Sequence, residues 1–139
     1  MLFRSHRRHR IRKKAIIGYV QRVLKGEKQW QADISVIFID GRYCKYINRR
    51  YLAHGYSTDV ISFTLEEGEN LEGEIYVNLD RARQQAHRYR VPFANEIARL
   101  VVHGALHIMG YDERNPAEAA RMKARENGYL ALLFREHRI

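Results

Sequence analysis

The spacing of apolar and polar positions changes along the chain, and each spacing predicts a different element. A stripe of apolar residues three and four apart near the start predicts a first helix with one buried face. Its members are Ile11, Ile16, Ile17, Val20, Val23 and Leu24. The β-branched, apolar run 34–39 predicts a central strand. Segments 58–65 and 73–79 predict a hairpin, because the acidic turn 66–70 joins them.

Four further helices are predicted in the rest of the chain. Segment 42–52 predicts the second helix. Its inward residues are expected to be Tyr43, Ile47 and Tyr51. Asp80 can cap the third helix, because a short carboxylate accepts the free N–H groups of a first turn. Pro92 and Asn115-Pro116 begin the fourth and fifth, since proline is favoured in the first turn. We therefore expect an α+β fold, a single small domain in which about five helices pack a mixed sheet of about four strands.

Two histidines on the fourth helix predict a metal site at the end of this central helix. His103 and His107 are four residues apart, so they lie on one face, one turn from each other. Gly110 is expected to end the helix, since glycine readily takes the left-handed conformation of a closing turn. The chain can then fold back and bring Glu113 to the imidazoles as a third ligand. Two histidines and one carboxylate form an open, catalytic type of zinc site.

Two neighbouring residues bear on this prediction. Asp112 competes with Glu113 for the place of third ligand, and the sequence does not separate them. Zinc peptidases with the motif H-E-x-x-H have a glutamate after the first histidine as general base. This chain has Gly104 there. A metallopeptidase is therefore disfavoured.

The composition favours one domain in a reducing compartment. The chain has 139 residues, enough to bury one core, and a single cysteine, Cys44, so no internal disulfide can form. It contains no apolar run of about 18 residues, so we expect no membrane span. We predict a cytoplasmic protein in which residues 1–139 form one domain.

The net charge of +9 is concentrated at the start of the chain. Residues 1–26 hold nine of the 25 lysines and arginines and no acid, whereas the remainder holds 16 basic and 16 acidic residues. A basic arm at about residues 1–12 suits a polyanion, and we predict nucleic-acid contact that weakens with salt. An organelle transit peptide and a solvated tail are the alternatives.

Four segments carry a resemblance to a known family. Its hallmark H-G-x-L-H-L-x-G-Y-D-H corresponds to H-G-A-L-H-I-M-G-Y-D-E at 103–113. A second hallmark, T-[DN]-V-[LI]-S-F, corresponds to T-D-V-I-S-F at 58–63. The shorter G-[DE]-I and Asn-Arg-x-Tyr stretches match 73–75 and 48–51. Over most of residues 30–135 the chain resembles the YbeY-type rRNA maturation factors.

The resemblance implies a metal-dependent, single-strand-specific endoribonuclease. Such a protein acts in 3′-end maturation of small-subunit ribosomal RNA and in ribosome quality control. By position, His103 and His107 are zinc ligands, and Glu113 takes the place of the family's third histidine. These three residues are the predicted metal ligands and catalytic residues. A carboxylate ligand lowers the Lewis acidity of the metal and can admit another divalent ion, although we predict zinc.

A second departure concerns RNA binding. Leu52 stands where many family members carry an arginine for the RNA backbone. We predict that Arg49, Arg50 and His54 take over this substrate binding, because they are close to it in sequence. The predicted partners are ribosomal RNA and the ribosome or its small subunit, with no DNA and no membrane.

The chemistry and one rival function stay open. A metal-bound water or the ribose 2′-OH could attack the phosphodiester, and Asp59 and Asp112 are the nearest carboxylates for proton transfer. The rival is a non-catalytic, zinc-containing RNA-binding ribosome-assembly factor. A structural zinc usually has four protein ligands, whereas this motif supplies three, which favours the nuclease.

Overall fold

The described residues, 3–4, 11–51 and 58–137, form five helices and four strands in this computed structural model. In chain order these are β1 (Phe3–Arg4), α1 (Lys13–Gly26), β2 (Ala32–Ile39), α2 (Gly41–Tyr51), β3 (Val60–Glu66), β4 (Leu71–Asn78), α3 (Leu79–Tyr89), α4 (Phe93–Ile108) and α5 (Pro116–His137). The predicted α+β class, and the five helices and three long strands placed from the sequence, are confirmed. Most of the predicted basic arm, together with Leu52 and His54, lies outside the described residues.

The strands form one mixed sheet in the order β1-β2-β4-β3. β2 pairs in parallel with both β1 and β4, whereas β3 pairs antiparallel with β4. The predicted hairpin is therefore confirmed, with β3 at one edge of the sheet. Parallel pairing of β2 with β4 requires a crossover, and the segment containing α2 and β3 provides it.

One face of the sheet is covered by α4, which contacts α1, α3, α5, β3 and β4. The buried side chains of α4 form the centre of the main core, together with side chains from the sheet and from the other helices. The largest fully buried side chains of the whole core are Ile75, Leu79, Leu100, Leu106, Met122 and Leu133. Burial of each such aliphatic side chain stabilises the fold by about 1.5–3 kcal/mol. Within the described chain, no helix combines the length and the apolar character that a membrane span requires.

Gly104 lets α4 approach the sheet closely. A Cβ at this position would lie 2.6 Å from Cγ2 of Ile75, well inside van der Waals contact. Ser62 Oγ donates to the Gly104 carbonyl oxygen at 3.2 Å, which joins β3 to α4 at the same point. The glycine thus has a packing role, and it sets the two flanking histidines against β3.

The other face of the sheet carries α2, and here one prediction is wrong. Among the described side chains of α2, which do not include that of Tyr51, the buried ones are Cys44, Ile47 and Asn48, at the spacing of one helical face. Tyr43 was predicted to face inward, yet it is 49% exposed. Its position four residues before Ile47 predicted an inward side chain, but the buried face of the helix passes through Cys44 instead.

Asp80 also differs from its predicted role as the cap of α3. Because α3 begins at Leu79, the cap is Asn78, whose side-chain oxygen accepts the Arg81 N–H at 3.1 Å. Asp80 Oδ2 instead accepts the Gly41 N–H at 2.9 Å, at the start of α2. The carboxylate therefore caps a helix distant in sequence, which local spacing does not reveal.

Candidate metal centre

Two imidazoles project from the last turns of α4 towards β3. The ring centroids of His103 and His107 are 4.9 Å apart, with ring planes inclined at 68°. Both side chains are partly exposed, although α4 is otherwise largely buried. A rigid, packed helix therefore fixes the spacing of two nitrogen ligands at the protein surface.

The chain turns back directly after α4. Gly110 has a φ of +100° and donates its N–H to the His107 carbonyl oxygen at 3.0 Å. The Tyr111 N–H then reaches the Leu106 carbonyl oxygen at 3.1 Å, which closes the helix end. The predicted helix stop at this glycine is confirmed, with α4 ending at Ile108.

This reversal brings Glu113 to both imidazoles. Its Oε1 atom lies 3.1 Å from Nε2 of His103 and 3.2 Å from Nε2 of His107. One ligand atom from each of the three residues lies within 4.8 Å of the other two, so this group could hold a metal ion. With metal–ligand bonds of about 2.0–2.1 Å at tetrahedral angles, ligand atoms are about 3.3 Å apart, so the donor set fits zinc.

Asp112 lies outside this group. Its Oδ1 atom accepts the Glu113 N–H at 2.7 Å, and its Oδ2 atom is 3.0 Å from Nε of Arg114. The sequence left Asp112 and Glu113 as equal candidates for third ligand. The geometry brings only the carboxylate of Glu113 to the two histidines.

Glu126 of α5 is a residue of the centre that sequence reasoning missed. Its side chain is 1% exposed, and its Oε1 atom is 2.5 Å from Nδ1 of His103. Its Oε2 atom accepts a hydrogen bond from Lys123 Nζ at 3.2 Å and lies 3.8 Å from Nη1 of Arg99. The sequence did contain a signal for this residue, because Glu126 is an acid that interrupts the apolar stripe of α5. The buried residues of that stripe are Met122, Tyr129, Leu130 and Leu133.

The electrostatics at His103 fix the role of each ring nitrogen. Burial by itself lowers the pKa of His103, but the hydrogen bond and charge of Glu126, with the charges of Glu113 and Asp59, outweigh it and raise that pKa. Burial likewise favours the neutral form of Glu126, yet His103 and Lys123 hold its pKa below the ordinary value. Glu126 is therefore ionised and accepts the Nδ1 proton.

A cation fits the gap between His103 and Glu113. A neutral imidazole carries one N–H, and here Glu126 accepts it. The Nε2 lone pair of His103 then faces a carboxylate oxygen at 3.1 Å, an arrangement that is repulsive unless a proton or metal ion lies between them. Nε2 of each imidazole and Oε1 of Glu113 thus lie around one common place, where a proton or a metal ion can be shared.

The three residues line an open cavity of about 430 Å³. It is also lined by Thr58 and Asp59, which precede β3, by Val60 to Ser62 and Thr64 of β3, and by Asn48 of α2. Asp59 belongs to this lining, and its Oδ2 atom accepts a hydrogen bond from Gln85 Nε2 at 3.3 Å. A strand, two helices and the returning chain therefore enclose a polar cavity around the candidate ligands.

Two of the three predicted RNA-binding residues follow the cavity residue Asn48 in sequence. Arg49 and Arg50 are exposed on the last turn of α2, directly after Asn48, and they are not among the described residues that line the cavity. His54 was predicted with them and lies outside the described residues.

Comparison with known proteins gives a consistent answer. A family model described as endoribonuclease YbeY matches residues 3–133. A protein of Chloroherpeton thalassium named endoribonuclease YbeY is 41% identical over 115 residues, which cover 83% of this chain and 82% of that protein. One from Parabacteroides distasonis with the same name is 35% identical over 128 residues, covering 92% of this chain and 90% of that protein.

A solved structure agrees in fold. The solution structure of a Thermotoga maritima protein superposes with a TM-score of 0.67 at 24% identity, covering 99% of this chain and 92% of the other. At this identity the likeness concerns the fold alone. The family model and the two named relatives decide the assignment, since their matches span most of this chain, and the match to the model includes positions 103, 107 and 113. The chain belongs to the endoribonuclease YbeY family.

Proposed function

We propose that this protein is a metal-dependent, single-strand-specific endoribonuclease that matures the 3′ end of small-subunit ribosomal RNA in the cytoplasm and acts in ribosome quality control. The proposal treats residues 1–139 as one hydrolase domain with a basic arm at its start. The observation that carries it is the convergence of His103, His107 and Glu113 on an open cavity. Membership in a family of named endoribonucleases supports an RNA substrate.

The proposed cofactor is one zinc ion, held by His103, His107 and Glu113. A zinc ion bound there would supply a water whose pKa is lowered towards about 7, or would polarise a phosphate oxygen. Glu126 accepts the Nδ1 proton of His103 and thereby directs the Nε2 lone pair at the ion. Because Glu113 is a carboxylate, we expect the centre to accept other divalent ions as well.

Protein residues would also position the RNA and move a proton. Asp59 lines the cavity and is the proposed proton acceptor, whereas Asp112 pairs with Arg114. Arg49 and Arg50 are the proposed contacts for the RNA backbone, with His54 as a third. The guanidinium groups of Arg49 and Arg50 are exposed on α2, where Asn48 of the cavity precedes them in sequence. A bound strand can there reach both these cations and the ion.

The test compares purified wild-type protein with His107→Ala and with His87→Ala, an exposed histidine of α3 that serves as matched control. Each is given single-stranded and duplex RNA of one sequence and a precursor of small-subunit RNA. Metal content is measured in parallel, and the fold is checked by circular dichroism. We expect wild type and His87→Ala to cleave the single strand, and His107→Ala to lose both metal and cleavage.

Three other outcomes would overturn the proposal. Equal cleavage by His107→Ala would place the activity elsewhere or in a contaminant. Binding of RNA and metal without cleavage would favour the assembly-factor function. Cleavage of a peptide substrate but not of RNA would favour a metallopeptidase.

A further inference from the structure

The outer face of α2 has an unusual composition. Its exposed residues are Arg42, Tyr43, Lys45, Tyr46, Arg49 and Arg50. Four are cations, two are tyrosines, and the helix contains no acidic residue. We call these six residues the α2 face. Cations interleaved with aromatic rings are what a protein presents to single-stranded nucleic acid, where phosphates need charge and unpaired bases need a stacking partner.

The two tyrosines lie side by side at the surface. Tyr43 is 49% exposed and Tyr46 is 55% exposed, so each ring presents a large area to solvent. Their centroids are 5.8 Å apart, and the ring planes are inclined at 33°. Two rings at this separation form one continuous aromatic surface, large enough to receive unpaired bases.

The helix beneath this surface is held firmly. Cys44 and Ile47 are buried against Ile39 and Ile61 of the sheet. At the amino end, the Gly41 N–H donates to Asp80 Oδ2 at 2.9 Å, and the Tyr43 N–H donates to Asp40 Oδ1 at 2.7 Å. The tyrosines therefore stand on a rigid support, which lowers the entropic cost of binding a flexible strand.

The α2 face also adjoins the candidate metal centre. Asn48, on the buried side of α2, lines the same cavity as His103 and His107. Arg49 and Arg50 follow it directly, and Tyr46 precedes them by one turn. A strand lying along α2 can thus reach the cavity at the carboxyl end of the helix.

We propose that the α2 face is a binding platform for single-stranded RNA, on which Tyr43 and Tyr46 stack against unpaired bases while Arg42 and Lys45 pair with phosphates. This inference rests on the proposed function and extends it from the cavity to the amino end of α2. It also supplies a physical basis for strand selectivity. Bases in a duplex are stacked on each other and cannot lie on the tyrosines, whereas single-stranded bases can.

The test is fluorescence anisotropy with a labelled 12-nucleotide single-stranded RNA whose 2′-O-methyl groups and phosphorothioate linkages resist cleavage, checked on a gel to be intact after the measurement. The metal-loaded wild type is compared with Tyr43→Ala, Tyr46→Ala and the corresponding phenylalanine variants. We expect each alanine variant to raise Kd by about tenfold, and each phenylalanine variant to stay within about twofold of wild type, because stacking needs the ring and not the hydroxyl. Circular dichroism and a thermal melt check the fold of each variant.

The matched control is Tyr89→Ala. Tyr89 is 57% exposed at the end of α3, so the substitution removes a similar ring from another surface. We expect no change in Kd. An equal loss in this variant would show a general effect of exposed aromatic area and would overturn the assignment to α2.

The cations are tested separately through salt dependence. Arg42→Gln and Lys45→Gln should each reduce the slope of log K against log salt by about 0.7, the value for one phosphate contact on a single strand. Three outcomes would each overturn the proposed platform. These are unchanged slopes in both variants, equal affinity of the wild type for duplex and single-stranded RNA, and no binding of RNA by the wild type.

Failure of the platform and failure of the proposed function give different results. If wild type cleaves RNA and the tyrosine variants keep its Kd and KM, the platform is wrong and the nuclease stands. If wild type binds through the tyrosines but never cleaves, the nuclease is wrong and the platform stands.

Discussion

Two carboxylates contact His103 from opposite sides, and their surroundings differ sharply. Glu126 meets Nδ1 from α5, and its side chain is 1% exposed. Glu113 meets Nε2 from the loop between α4 and α5, and its side chain is 48% exposed. The same imidazole therefore contacts a buried carboxylate on one side and a half-exposed candidate ligand on the other.

On the interior side, the neighbours of Glu126 are themselves connected. Arg99 lies 3.8 Å from Glu126 and pairs with the buried Glu96 at 2.5 Å. Gln85 Nε2 donates to Glu96 at 2.7 Å and to Asp59 at 3.3 Å. These side chains join α3, α4 and α5 to the start of β3, so the orientation of His103 depends on several elements at once.

On the solvated side, Glu113 contacts the two histidines and follows a short turn. Charge buried in the interior is costly unless it is paired, whereas charge at the surface can adapt to a bound ion. The interior therefore fixes the orientation of one candidate nitrogen ligand, and the loop supplies the candidate carboxylate. Substitutions on the two sides should therefore have effects of different size, and they should affect zinc affinity and folding stability differently.

The largest effect is expected on the solvated side, with Glu113→Ala. This change removes a proposed ligand, so the dissociation constant for zinc should rise by more than about a hundredfold, beyond the usual cost of altering an outer contact. Metal competition against a chromophoric chelator measures it, and RNA cleavage should be lost together with the metal.

The matched variant is Glu113→His, which restores the third histidine of the hallmark segment. It should bind zinc at least as tightly as wild type and discriminate more strongly against magnesium and manganese, since imidazole is a softer ligand than carboxylate. Wild-type zinc affinity in Glu113→Ala would show that this residue is not a ligand.

The next effect belongs to the interior side, with Glu126→Gln. The amide keeps the shape but no longer offers a charged acceptor to Nδ1 of His103, so zinc affinity should fall by about tenfold to a hundredfold. Because the site is buried, the free energy of unfolding of the metal-free protein should also fall by about 1–3 kcal/mol. Urea denaturation with and without zinc separates the two effects.

Asp33→Asn, an exposed acid at the start of β2, is the control for loss of one charge. If Glu126→Gln lowers stability but leaves zinc affinity at the wild-type value, Glu126 supports the fold and does not orient the ligand.

The same contrast separates what the sequence could predict from what it could not. His103, His107, Gly110 and Glu113 lie within eleven residues, and helix geometry with one glycine turn places them. Glu126 is 23 residues from His103, and only the packing of α5 on α4 brings it to Nδ1. Local spacing therefore predicts the candidate ligands, whereas tertiary packing determines which residues contact them from the interior.

The fold shows the same division. The limits of β2, β4 and α2 agree with the apolar patterns to within about two residues. The parallel pairing of β2 with β4 and the capping of α2 by Asp80 depend on contacts between distant segments. Tyr43 was predicted to face inward because it lies four residues before Ile47, yet it is exposed.

A smaller effect is expected from Tyr111→Phe, at the base of the loop that carries Glu113. The Tyr111 hydroxyl donates to Glu27 Oε1 at 2.7 Å, and Glu27 also accepts from the hydroxyl of Tyr129 and pairs with Arg125. The hydroxyl also accepts a hydrogen bond from Arg125 Nε at 3.1 Å, so the change removes two bonds of this cluster and should cost about 1–2 kcal/mol of stability. Zinc affinity should fall by less than about tenfold, because the loop keeps its glycine turn.

A thermal melt and the chelator competition measure these two quantities, and Tyr129→Phe is the control, since it removes a bond to the same glutamate from α5. A loss of zinc affinity as large as that of Glu126→Gln would mean that the loop is held as firmly as the interior, which would remove the difference between the two sides.

The smallest effect is expected from Asp112→Asn, which isolates the question of the third ligand. Asparagine retains a side-chain oxygen that can accept the Glu113 N–H, so the change removes only the exposed ion pair with Arg114. Exposed pairs contribute about 0–1 kcal/mol, so zinc affinity should change by less than about fivefold. If Asp112 were the ligand instead, its amide would bind the ion poorly, and Asp112→Asn would match or exceed Glu113→Ala in the same competition assay. The ratio of the two dissociation constants therefore decides which carboxylate holds the metal, because the turn geometry is kept in one variant and the contact with both histidines is removed in the other.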